Sequence, residues 1–245
     1  MIYFIGGSFL PPIIFVFGDC MDQEQILSLI KQLFEGFEFS VGIFAFTILF
    51  SIPLGLLIAR GRMSKNIVVS TVFRLYISIM RGTPLMLQLL LVYFGPYYLF
   101  GVSTGNIEIG PFNYRFIASI IGFSLNYAAY FAEIFRGGIQ SMPKGQYEAA
   151  QVLGFTKMQT YFKIILPQVF KRVLPSVTNE VITLVKDTSL AQVLAVTEMF
   201  TVAKNLASAQ VSVIPFIAAG LFYYLFNLLV EVVMGRIEKS MSYYS

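Results

Sequence analysis

The chain has 245 residues, of which 57% are hydrophobic, 16% aromatic and 12% charged, with a formal net charge of +4. Soluble domains average about 25% charged, so this low content, with a mean hydropathy of +0.75, places most of the chain in lipid. There is no histidine and a single cysteine, which excludes imidazole bases, histidine zinc sites and serine–histidine dyads and leaves Cys20 without an internal disulfide partner.

Residues 1–25 form an apolar N-terminal extension that includes Pro11 and Pro12. The segment lacks the positive n-region of a secretory signal, and Val16 to Cys20 is a poor lipoprotein cleavage box. Two readings are open, an extra short span or upstream sequence before a start at Met21. Residues 25–36 alternate at helical spacing and predict an amphipathic helix on the outer face. Five stretches, 39–59, 83–100, 112–135, 173–195 and 212–235, are long and apolar enough to cross a hydrocarbon core about 30 Å thick. The fourth is interrupted by Asn179, Glu180, Lys186 and Asp187. A helical stretch over 66–80, carrying Arg74, lies at the interface or extends the second span inward.

Counting Lys and Arg by connection gives 13 on one side against Lys31, Arg115 and Lys204 on the other, with Lys186 inside a span. Positive charge marks the cytoplasmic side. The 101–111 loop therefore faces outside and the C-terminus faces the cytoplasm.

The longest polar connection, 136–171, is on the positive side. Gly137-Gly138 predicts the end of the third span. Pro143 then precedes a short helix from Gln146 to Leu153, closed by Gly154 at the position of a left-handed cap. Thr156-Lys157-Met158-Gln159 fits a capping box opening a further helix to Leu166, with Pro167 following. The first helix is too short to be stable alone and carries small Ala149 and Ala150. It either docks into a groove or rests on lipid.

Glu148-Ala149-Ala150 with Gly154 and Ile165-Leu166-Pro167 resembles the EAA loop of ATP-binding-cassette importer permeases. Arg81-Gly82-Thr83-Pro84-Leu85, Ala132 to Ile139, Pro143-Lys144-Gly145-Gln146 and Lys186-Asp187-Thr188-Ser189-Leu190 extend the resemblance over roughly residues 25–240, toward the branch that takes up polar amino acids. The resemblance implies an all-α membrane protein with about five transmembrane helices, the type I ABC importer permease fold, in a bacterial cytoplasmic (inner) membrane. It divides the chain into the extension at 1–25, a permease domain at 26–240 containing the loop 136–171, and a cytoplasmic tail at 241–245. The implied partners are ABC ATPase subunits, a second permease copy, identical or related, an extracytoplasmic amino-acid-binding protein and a polar amino-acid substrate. Glu148, Ala149, Ala150, Leu153 and Gly154 would couple to the ATPase. The chain has no phosphate-binding loop of the G-x-x-x-x-G-K-[ST] type, so it is not expected to be an enzyme. ATP and Mg would be bound by the partner, with no cofactor or metal here.

Ionisable and polar residues within spans face a cavity or a protein partner. Asn126, Tyr130 and Glu133 share one face of the third span, and Ser176, Asn179 or Glu180, Thr183, and Lys186 or Asp187 form another stripe. Asn126, Thr183, Lys186, Asp187, Ser189 and Glu198 are candidates for the substrate path, and structural bonding between helices is the competing role for each. Glu198 meets a substrate amine or caps a helix. Glu133 beside Arg136 reads as a structural pair. Thr83 is expected to cap the second span, with Pro84 in its first turn. Gly42, Ser51, Gly55, Ala118 and Gly122 are expected at close helix contacts. The rival to an ATP-driven importer is an ion-coupled secondary transporter using Glu133, Asp187 or Glu198. Such proteins are usually longer and internally repeated, and no repeat is visible in this sequence.

Overall fold

The computed structural model describes residues 22–102, 108–109 and 112–241. Residues 1–21, and with them the choice between an added span and upstream sequence, lie outside the described residues. The first helix, α1 (Gln23–Arg62), opens on a capping box in which Asp22 and Gln25 satisfy each other's backbone. The amphipathic helix expected over 25–36 and the span expected over 39–59 prove to be one continuous helix. The glycines between them are contact points rather than breaks. A Cβ at Gly36 would lie 2.9 Å from Met199 Cα, and one at Gly42 would lie 3.1 Å from the Phe116 ring.

Asn66 caps α2 (Ile67–Gly82), accepting from the Val68 and Val69 amides. The next helix, α3 (Leu85–Phe100), turns away from it by 112°. A two-residue antiparallel pair, β1 (Glu108–Ile109) and β2 (Phe112–Asn113), leads into α4 (Tyr114–Gln140). Asn113 caps α4 through the Phe116 amide at 3.0 Å. The helix runs past Gly137-Gly138, where the sequence predicted its end. At Gly138 the absent side chain admits Val173 of the neighbouring helix, and a Cβ there would collide with it.

After α5 (Lys144–Val152), Thr156 opens α6 (Lys157–Gln159), which continues as a π-helical stretch, Thr160–Ile165, into α7 (Leu166–Asp187). Pro167 therefore does not stop the helix. It lies in the first turn of α7, where a missing N–H is tolerated, directly after a wider π turn of the kind that absorbs such irregularities. The fourth span, expected over 173–195, instead ends as an α-helix at Asp187 and tightens into a 3-10 turn, Thr188–Leu194. Two helices complete the chain, α8 (Met199–Gln210) and α9 (Ile214–Ser240).

The core is organised on α4, which packs against α1, α2, α3 and α7. Its principal partner is α1, whose buried stripe includes Gly36, Ser40, Thr47, Ser51 and Gly55. Without a hydrophobic drive between helices in lipid, small residues at a seam let backbones approach and gain dispersion contacts. Ser51 and Ala118 are fully buried, and a Cβ on Gly122 would lie 2.7 Å from Leu89 Cδ2. Gly42 and Gly122 approach Phe116 and Leu89, as the close-packing expectation required.

Gly42 faces Phe116 and Gly55 faces Phe131, so α1 and α4 run parallel. Gly138 faces Val173 while Tyr127 bonds Asp187, so α4 and α7 run antiparallel. Arg62, the end of α4, α5 and the start of α7 thus share one end of the bundle, and Gly36, Phe116 and α8 share the other. A separate small cluster of Leu29, Leu33, Met199, Ala203 and Ala219 holds α8 to α1 and α9 at that second end. Among the described residues α1, α4 and α9 are long and apolar enough to cross a membrane, and α2 with α3 adds a fourth if the bent pair is one span. Among the other helices, α7 carries Lys171, Arg172, Asn179, Glu180, Lys186 and Asp187.

At Gly55 the neighbours are Phe131 Cβ at 2.8 Å and the Ala128 carbonyl oxygen at 3.2 Å, neither of which can swing aside. Gly55→Val is expected to destabilise the bundle by about 1–3 kcal/mol, the usual cost of overpacking. A lowered thermal transition of the detergent-solubilised protein would register it.

Candidate coupling and translocation sites

The connection between α5 and α6 is built from backbone caps. The Phe155 amide donates to the Ala150 carbonyl at 3.0 Å and the Gly154 amide to Gln151 at 3.0 Å. These are the two bonds of a Schellman motif. Gly154 takes the left-handed conformation it requires, with φ of 76°, and nothing lies within 4 Å of where its Cβ would be. The capping box read from the sequence is present. Thr156 Oγ1 accepts from the Gln159 amide at 3.3 Å, and the Thr156 amide donates to Gln159 Oε1 at 2.9 Å. The outcome is a stiff helix–turn–helix. Ala150 is buried against the following helical segment, while Glu148 and Ala149 are exposed. Val152 and Leu153 are 88% and 73% exposed and Met158 is 66% exposed, an apolar tip that none of the described residues covers.

In the span region the structure brings Asn126 together with the bend between α2 and α3. Its Nδ2 donates to the Met80 carbonyl at 3.1 Å and to Gln88 Oε1 at 2.9 Å. Gln88 Nε2 in turn reaches the Met80 carbonyl at 2.9 Å, the Thr83 carbonyl at 3.1 Å and Thr83 Oγ1 at 2.8 Å. The Thr83 hydroxyl donates to the Ile79 carbonyl at 2.8 Å. Thr83 therefore closes the end of α2 rather than capping α3, whose N-cap position is held by Pro84 without a side-chain bond. The last carbonyls of α2 have no intrahelical partner, and side chains supply what lipid cannot. Arg81 lies over the Tyr130 ring at 5.2 Å, a cation–π contact.

On α7 the candidates separate. Thr183 and Lys186 are exposed, with the Thr183 hydroxyl donating to the Asn179 carbonyl at 2.9 Å. Asp187 is half-buried and accepts from the Tyr127 hydroxyl at 2.7 Å. Ser189 donates to the Lys186 carbonyl at 2.8 Å. Glu133 receives the Arg136 Nε at 3.0 Å, the structural pair expected. A cavity of about 320 Å³ opens beside it, lined in part by Ser141, Arg172 and Ser176.

Glu198 lies apart from these. It is fully buried and caps α8, accepting from the Phe200 amide at 2.8 Å, the Thr201 amide at 2.7 Å, the Thr201 hydroxyl at 2.8 Å and the Tyr223 hydroxyl at 3.0 Å. A carboxylate at a helix N-terminus meets orphan amides and the positive end of the helix dipole. Among the described residues no cluster of three or more His, Cys, Asp or Glu could hold a metal ion.

Gln88, Tyr127 and Tyr223 were not among the candidates read from the sequence. Gln88 alone carried a signal there, as the one amide in a helix otherwise made of apolar residues, aromatics, glycine and proline. The two tyrosines are hidden among the many interfacial aromatics of the sequence.

Comparison with known proteins agrees with this geometry. The family described as "Binding-protein-dependent transport system inner membrane component" matches residues 51–243. The chain is 36% identical over 211 residues to the L-cystine transport system permease protein TcyB of Bacillus subtilis (strain 168), covering 85% of this chain and 86% of that protein. It is 33% identical over 220 residues to the putative glutamine transport system permease protein GlnP of Rickettsia bellii (strain RML369-C), covering 89% and 95%. Its fold is similar to the crystal structure of an amino acid ABC transporter with histidines, with a TM-score of 0.78, 29% identity, and coverage of 91% of this chain and 100% of that one. The chain belongs to the family of inner membrane components of binding-protein-dependent transport systems. It is a multi-pass permease subunit of an ABC importer, with a role in transport rather than catalysis, and the ion-coupled alternative is not supported.

Removing either side chain of the α2–α3 knot leaves the Met80 or Thr83 carbonyl less satisfied. Gln88→Leu is expected to cost about 1–3 kcal/mol. Asn126→Leu added to it should cost less than the sum of the two single changes, because the side chains share partners. Thermal unfolding of the two single variants and the double variant measures this.

Proposed function

We propose that this subunit moves polar amino acids into the cytoplasm as one half of a permease dimer, powered by a separate ATPase that grips α5. The observation that carries this reading is the exposed apolar tip of Val152, Leu153 and Met158, at the corner between α6 and the small-residue helix that bears Glu148, Ala149 and Ala150. A short helix closed by a tight Gly turn and presenting apolar side chains is pre-organised for a cleft. Positive charge collects at the same end, including Arg60, Arg62, Arg136, Lys144 and Lys157, which supports a cytoplasmic position for α5 and the C-terminus.

The substrate class follows from the relatives, whose names specify cystine and glutamine transport. We assign Thr183, Lys186 and Asp187 on α7, with Ser189 in the 3-10 turn that follows it, to the path, where a carboxylate and an ammonium offer partners of both signs to a zwitterion. Asn126 and Glu198 serve the path indirectly, by fixing the α2–α3 bend and the α8 platform. ATP and Mg belong to the ATPase, and a soluble binding protein delivers substrate to the opposite face. Binding protein and ATP bias the outward and inward states because each has different affinity for them.

Reconstitution into proteoliposomes with the ATPase and binding protein tests the reading. Uptake of a polar amino acid should require ATP inside. Uptake driven by an ion gradient without the ATPase would overturn it. Gly154→Asp and Leu153→Asp should each reduce ATP-driven uptake by about tenfold or more, as loss of an interface hot spot does, with normal membrane insertion. Normal uptake by both variants would show that the tip is not the coupling contact.

A further inference from the structure

One face of α7 carries an uncovered polar row. Arg172, Ser176, Asn179, Thr183 and Lys186 are all exposed, and at about 100° per residue they fall within about 80° of one another on the helix. Because α7 runs antiparallel along α4, the row follows the depth of the bundle, with its two cations about 21 Å apart at about 1.5 Å per residue. Lipid offers such side chains no partner, so a row of this kind borders water or protein.

At the α5 end the row enters the cavity of about 320 Å³ between α4 and α7. Arg172 and Ser176 line it from α7, and Glu133, Gly137 and Ser141 line it from the end of α4. The volume falls within the range of small-molecule sites. Arg172 Nη1 donates to the Ser141 carbonyl at 2.6 Å, which ties the guanidinium to the α4 wall with most of its five N–H donors unspent. Glu133 is already countered by Arg136, whereas Arg172 forms no ion pair among the described residues. The uncompensated charge in the cavity is therefore a fixed guanidinium, the group best shaped to take a carboxylate through paired, charge-assisted hydrogen bonds.

We infer that this cavity is an inner binding site for the α-carboxylate of the transported amino acid, with Arg172 as its charged fork and Ser176 as a second donor. It is the cytoplasmic counterpart of Lys186 at the far end of the same row. This rests on the proposed function for the substrate class and for sidedness. Gly137 makes the site separable from the fold. Nothing lies within 4 Å of where its Cβ would be, so a side chain there enters the cavity without displacing a neighbour, and glycine is the weaker helix former.

Proteoliposomes holding permease, ATPase and binding protein, offered the twenty protein amino acids and L-cystine in turn, first identify the amino acid taken up with ATP. Uptake of none would overturn the reading beneath this one, before any substitution is made. The permease–ATPase complex in nanodiscs is then treated with phenylglyoxal, and modification of Arg172 is followed by peptide mass spectrometry. The transported amino acid should slow that modification about fivefold, as a charge-assisted contact with the guanidinium requires, while its α-carboxamide, which lacks the carboxylate, should not. Gly137→Leu should unfold no earlier than the wild type and lose the protection. In uptake, Gly137→Leu and Arg172→Gln should each lower the maximal rate about fivefold with the external half-saturating concentration unchanged, and Arg172→Lys should restore part of it. Equal protection by the carboxamide, no protection by the amino acid, wild-type protection in Gly137→Leu, or an Arg172 that does not react at all would each overturn the assignment.

Discussion

A backbone carbonyl or amide inside a bilayer must find its partner within the protein, and the irregular points of this fold are organised by that requirement. At the 112° bend the last carbonyls of α2 would be stranded, and Gln88, Asn126 and Thr83 take them up. At the start of α8 the free amides are met by the Glu198 carboxylate. At Pro167, where an amide is missing, the helix widens into a π turn and continues. Buried side-chain polarity here largely serves the main chain, so its presence alone does not define a substrate site. This separates Asn126 and Glu198, buried and occupied by structure, from the exposed Lys186; Thr183 is exposed too, though its hydroxyl bonds the Asn179 carbonyl.

The same accounting explains what could be read from the sequence. The α5–α6 corner was legible because each of its parts has a local signature: Pro143 before the helix, Gly154 where φ must be positive, and Thr156 with Gln159 three residues on. The close contacts at Gly42, Ser51, Gly55, Ala118 and Gly122 were legible because small residues at a lipid-embedded seam have few other uses. Features set by long-range contacts were not. Whether Gly36 or Gly138 breaks a helix or admits a neighbour depends on Met199 or Val173, far away in the chain. The partnership of Tyr127 with Asp187 spans 60 positions, and no local pattern announces it.

The two ends of the bundle differ in construction. At the α5 end, exposed apolar side chains ride on a helix with ordinary backbone geometry, and the single left-handed position there is a glycine. At the α8 end, the non-glycine left-handed positions are Ala195 and Val211, and a compact cluster around Leu33 and Met199 sits apart from the main core. One end presents a replaceable contact on an unstrained frame, the other a strained turn on a braced one.

The π-helical passage at Thr160–Ile165 has a mechanical consequence. Because the chain never leaves helical geometry between Lys157 and Asp187, those residues form one continuous hydrogen-bonded path with no intervening loop. A loop in that place would dissipate a displacement as slack, whereas a strut converts a small push at one tip into motion at the other. The corner at Gly154 is thereby linked to the carboxylate of Asp187 through continuous helix rather than through a loop.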